Sequence, residues 1–240
     1  MPVDDEGRAE ERSGPISRRR IESLSDLMFG LALSVGALAL IAQPPTTPDE
    51  LTPRLIAFIF NFVVLIAVWL QYTMVMSRMP VETGRMVLAN AFLLLLIILM
   101  SYLINGVKFV SPPLPIPADT PLGAYSSQLY GLVLTGVTGI LAFFSYNLSI
   151  EEKHLIPRGY LRKARFAAKA NAFFAALFLF TALPQAWDWS FDQVPLRFAL
   201  WWIPLIGTII VNAMFFRSPK EEVTGSRETS GDNRRTAPRS

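Results

Sequence analysis

The 240-residue sequence contains no cysteine. Disulfides and thiolate metal centres are therefore excluded, while the compartment stays open. Histidine occurs once, as His154 in a basic stretch, and a lone loop histidine implies neither an acid–base centre nor a metal site. Charge is also scarce. Asp, Glu, Lys and Arg make up 17% of the chain, against about 25% in a typical soluble domain. The charges collect at the two ends and in short clusters between apolar runs, whereas a soluble helical protein spreads them over every exposed helix face. The net charge of +3 is too small to argue for nucleic acid, and the basic residues flank apolar spans, so no nucleic-acid partner is expected. No phosphate-binding glycine loop and no cluster of His, Cys and acids occurs, so neither an enzyme nor a bound cofactor is expected.

What the chain does have is long apolar runs, in a composition that is 52% hydrophobic. A membrane span needs about 20 mostly apolar residues to cross about 30 Å of hydrocarbon. Six stretches qualify: Ile21–Ala42, Arg54–Met76, Met86–Val107, Tyr125–Ser149, Phe166–Gln185 and Pro195–Phe216. They are continuous rather than alternating, which selects helices over a barrel. The expected fold is an all-α membrane protein of six transmembrane helices, multi-pass in the cell membrane with the lipid bilayer as its first partner. Residues 1–19 read as a flexible cytoplasmic arm, 20–217 as the transmembrane domain and 218–240 as a disordered polar tail. No cleavage site follows the first span, so it reads as a retained helix and not a signal peptide. The loop Ser111–Pro121 carries Pro112, Pro113, Pro115 and Pro117, which favour extended backbone.

Orientation follows from the 22 Lys and Arg residues. With the amino terminus inside, all fall on the inner side except Arg54, Lys108 and Arg197. That asymmetry obeys the positive-inside rule and places both termini in the cytoplasm. Trp187 and Trp189, at the far end of the fifth span, suit an interfacial aromatic belt.

The first span is the unusual one. Apart from Glu22 at the very start of the first span, Asp26 is the only acid inside any of the six, and a carboxylate at the bilayer centre costs about 2.5–3.5 kcal/mol on insertion scales, less near the interface. Either it has a partner on another helix, with Asn90, Gln71 and Tyr72 as candidates, or it is a wetted helix end favoured by the dipole. At 100° per residue, Arg20, Leu24, Leu27, Leu31, Ser34, Val35 and Leu38 fall within about 60° of one line. Small residues flank this stripe: Ala32, Gly36 and Ala39 on one side, Gly30 and Ala37 on the other. Small shoulders let helices approach closely. The stripe therefore suits the axis of a ring of identical helices, or ordinary packing within one subunit.

These residues carry a resemblance. Arg20-x-x-x-Leu24-Ser25-Asp26, followed by Phe29-Gly-Leu-Ala-Leu-Ser, resembles the Arg-x-x-x-Phe-Ser-Asp signature of the transmembrane protein 175 family of potassium channels. The second span keeps an aromatic pattern from Phe58 to Trp69, and the third places Asn90 before a leucine run. The likeness covers residues 18–106. Leu24 stands for the signature Phe, Tyr72 stands where the family usually has His, and Ser101 lies near the place of a third-helix proline. The resemblance implies a homotetrameric, leak-type channel for potassium ions, with no Thr-Val-Gly-Tyr-Gly filter. Its pore would be lined by the first helix. Leu31, Val35 and Leu38 would be the apolar constriction layers, and Ser34 the hydroxyl that influences selectivity. Arg20, Ser25, Asp26, Trp69, Tyr72 and Asn90 would form a polar network between the first three helices. Two readings compete with it: a non-conducting structural or accessory membrane protein, and a secondary transporter. The second is weaker, because no matching pair of spans is broken.

Overall fold

In the computed structural model the described residues are 14–42, 44, 46–79, 83–107, 121–150, 158–183, 190–191 and 194–216. The first part of the arm, the tail from 217, the Ser111–Pro121 loop, His154, Trp187 and Trp189 lie outside them. The described chain forms six helices: α1 Gly14–Ala42, α2 Pro48–Met76, α3 Gly84–Leu103, α4 Pro121–Ile150, α5 Arg158–Thr181 and α6 Leu196–Phe216. A 3-10 turn, Ile104–Gly106, extends α3. A minimal antiparallel ladder, β1 Ser190–Phe191 with β2 Val194–Pro195, precedes α6. Four helices contain stretches long and apolar enough to cross a membrane: Glu50–Met76, Gly84–Gly106, Tyr125–Ile150 and Gly159–Thr181. α1 and α6 contain shorter apolar stretches, Ser23–Leu38 and Phe198–Met214.

Several helices run past the apolar stretches that announce them. α1 begins at Gly14, inside the stretch expected to be a flexible arm. α2 begins at Pro48 rather than Arg54, because Thr47 caps it: the Thr47 hydroxyl oxygen accepts from the Glu50 amide at 3.4 Å, and Pro48 occupies the first turn. A proline there forfeits no helical hydrogen bond. At 29 residues, α2 is about 43 Å long, more than the hydrocarbon layer requires. α5 begins at Arg158, so the basic segment up to Arg165, read from sequence as a loop, is helical.

α4 and α5 form the most extensive helix pair, α3 packs on α4, and α6 packs on α5 and α2. One end of the core is aromatic. Trp201 is fully buried, with ring centroids 5.2 Å from Tyr130, 5.2 Å from Phe198 and 6.0 Å from Phe60. Its polar atoms are satisfied, as hydrocarbon requires. The Trp201 indole donates to Thr181 Oγ1 at 2.9 Å, and the Tyr130 hydroxyl donates to Asn61 Oδ1 at 3.2 Å. Farther along α2, Asn212 Nδ2 of α6 donates to the Ala67 carbonyl at 3.0 Å. α1 is the peripheral helix: it packs chiefly on α2 and α3.

Candidate functional site

The two faces of α1 differ sharply. Ser25, Phe29, Ala32 and Gly36 are buried, and at 100° per residue they share one face. Gly36 faces α2 but is not required there: a methyl added to it would stand 3.7 Å from Asn61 Nδ2 and 3.8 Å from the Phe58 ring, ordinary van der Waals contact. On the opposite face Leu24, Leu27, Leu31, Ser34 and Leu38 are exposed, Leu27 at 68% and Leu31 at 48%, and Val35 is half-buried. The leucine stripe is thus not used for packing within the subunit.

Two hydrogen bonds fix this rotation. Ser25 Oγ lies 2.7 Å from the Tyr72 hydroxyl in the buried α1–α2 seam. One residue on, Asp26 Oδ1 accepts from the Trp69 indole N–H at 2.9 Å. Ser25 and Asp26 project about 100° apart on α1, while Trp69 and Tyr72 are one turn apart on α2. The two bonds therefore act as a pair of stays, and turning α1 about its axis breaks at least one. Tyr72 also packs its ring 5.9 Å from Phe29 and 6.5 Å from Phe144 of α4, which ties the stays to the core.

Sequence reasoning named the right residue types but not their pairing. Asp26 was assigned Asn90, Gln71 or Tyr72 as candidate partners. Its partner is Trp69, and its carboxylate is exposed on the isolated subunit rather than buried in it. The Tyr72 hydroxyl pairs with Ser25 instead. Asn90 is buried, and its Oδ1 has no hydrogen-bond partner among the described residues. Gln71 is buried with neither side-chain polar atom paired. Arg20 lies within α1, with its side chain outside the described residues.

Ser34 sits in the middle of the exposed stripe. Its hydroxyl donates to the Gly30 carbonyl at 2.9 Å, the back-bond available to a helical serine. That uses the proton and leaves the oxygen lone pairs free. The arrangement is an apolar stripe broken by one oxygen acceptor, on a helix whose rotation is locked. Among the described residues no group of His, Cys, Asp and Glu could hold a metal.

The fold and this face define a multi-pass helical membrane protein whose peripheral first helix turns a defined side outward. Residues 20–100, spanning α1 to α3, match the family model for the endosomal/lysosomal potassium channel TMEM175. That segment contains the signature, both stays and the whole stripe. The fold resembles a solved structure, a lysosomal potassium-selective channel TMEM175 homolog from Chamaesiphon Minutus. The TM-score is 0.55 and the identity 14%, over 83% of this chain and 96% of that one. Comparison with curated proteins gave no match.

Proposed function

We propose that the protein is a potassium-selective, leak-type channel in which four copies of α1 surround a pore and the Leu31 side chains form its narrowest apolar ring. The outward turn of the Leu24–Leu38 stripe, opposite the face that packs on α2 and α3, carries this reading. It leaves a helix face with no use inside one subunit, and lining the pore of a potassium channel, the kind of protein its family model describes, would be such a use. A neck of leucines blocks ions by dewetting, since a cation stripped of water there finds nothing to replace it. Val35 and Leu38 form the next layers. Ser34, about one turn beyond Leu31, offers an oxygen to a partly dehydrated cation. The polar contacts of Ser25 and Asp26 hold the stripe on the axis.

The test is ion flux from proteoliposomes under potassium or sodium gradients. The parent should pass potassium in preference to sodium. Leu31→Asn lines the neck with dipoles that keep it wet, so flux should rise. Ser34→Ala should narrow the preference for potassium. The non-conducting reading makes the stripe a lipid or protein contact, and predicts no flux from either the parent or a well-folded Leu31→Asn protein.

A further inference from the structure

α5 divides into two kinds of surface along a single face. Ala164, Ala167, Asn171, Phe174 and Phe178 are buried against the bundle. On the opposite face, read from the amino-terminal end, come Arg162, Arg165, Phe166 and Lys169, then Phe173 and Phe180, all exposed. The helix carries no acid between Arg158 and Thr181. Arg162, Arg165 and Lys169 have no ion-pair partner among the described residues. The neighbouring cation is held in place: the Arg78 guanidinium, after α2, stacks 3.9 Å from the centroid of the Tyr160 ring in the first turn of α5.

The sequence of these residues along the face fixes their depth. Phe173 and Phe180 are exposed on a stretch long and apolar enough to cross a membrane, as a face turned to lipid tails would be. The cations lie on the same face about one to three turns nearer the helix start than Phe173, toward the end where the tails give way to headgroups. Helical side chains lean toward the amino terminus, here away from the apolar end, so Lys169 and the arginines reach back to the headgroup layer. Arg offers its planar fork to a phosphate bidentately, and the spacing places three cations within about two helical turns.

We infer that the Arg162–Arg165–Lys169 face of α5 is a binding site for anionic phospholipid headgroups of the adjoining leaflet. It is separate from the α1 stripe, and its test does not depend on conduction. The occupant is a lipid, because only a phosphate anchored by acyl chains can pair with these cations while covering Phe166 and Phe173 beside them.

The experiment follows thermal unfolding of the purified full chain in a neutral detergent, with added short-chain phosphatidylglycerol, phosphatidylcholine or inorganic phosphate. Phosphatidylglycerol should raise the unfolding temperature by about 5 °C at saturating excess, and the other two should leave it unchanged. The R162Q/R165Q/K169Q variant should lose that rise while unfolding near the parent temperature without lipid, since all three side chains are exposed. Should that variant not fold, the parent alone still decides: the rise must shrink when salt is increased to about 1 M, where screening acts within about 3 Å. A rise equal in parent and variant, equal with phosphatidylcholine, reproduced by phosphate alone, or unaffected by salt overturns the site.

Discussion

At the scale of single residues, the Asp26–Trp69 contact joins an exposed carboxylate to an indole at the edge of the apolar span. A hydrogen bond to a charged acceptor contributes about 1.5–3 kcal/mol when sheltered, and solvent access reduces that here to about 1 kcal/mol. Asp26→Ala and Trp69→Phe should therefore each cost about as much as the other through this bond, and the double variant should cost less than their sum. A double-mutant cycle in thermal stability isolates the term. Additive losses would mean that the bond contributes nothing; the helix-end reading of Asp26 is already overturned, because α1 begins at Gly14, about three turns before it. Asp26→Asn keeps an acceptor at Oδ1 and should sit between parent and alanine. The pairing was illegible in the sequence for a definite reason. Spacing fixes which faces the side chains share, but the choice between Trp69 and Tyr72 depends on how far each ring reaches across a seam.

At the scale of elements, α5 and α6 meet at a point that tolerates no side chain. A Cβ built on Gly207 overlaps the Phe174 ring. That ring is buried and cannot swing away freely, since its neighbours are packed as densely as any protein interior. Gly207→Ala should destabilise by about 1–3 kcal/mol, the usual cost of overpacking. Gly139 of α4 is the control, with nothing within 4 Å of an added Cβ. Gly139→Ala should be neutral or gain up to about 1 kcal/mol from helix propensity. Thermal unfolding of the two single variants in one detergent checks both, and a milder effect at Gly207 than at Gly139 would contradict the packing. The helices themselves were legible, because six apolar runs separated by polar breaks admit few other readings. Their ends were not. Hydropathy marks where lipid stops, whereas hydrogen bonding and caps mark where a helix stops. Thr47 and Pro48 extend α2, and a run of Arg, Lys and Ala, all good helix formers, extends α5 into territory read as loop.

At the scale of the whole molecule, the amino-terminal stays of α1, the end of α2 and the start of α5 gather at one end of the bundle, linked by Asp26–Trp69 and Arg78–Tyr160. Arg78 and the start of α5, which the charge pattern assigned to one side of the membrane, are thus neighbours in space. Their assignment to the cytoplasmic side rests on the charge pattern itself. Exposure alone does not separate a pore face from a lipid face: Leu88 of α3 is 73% exposed and Leu27 of α1 is 68% exposed, yet only one lies on the stripe. Symmetry separates them. Around a closed ring, residues on the axial face of α1 meet their own copies, and residues facing lipid do not. The chain has no cysteine, so single cysteines at Leu27, Leu31 and Leu88 report without background. A bis-maleimide of about 8 Å reach, which adds one thiol at each end to form two thioethers, should convert Leu27→Cys and Leu31→Cys to covalent dimers when applied to protein in vesicles. Leu88→Cys should remain monomeric at the same protein density, where chance collisions are equal for all three. Equal cross-linking at the three positions, or none at the stripe, would remove α1 from the axis and with it the pore.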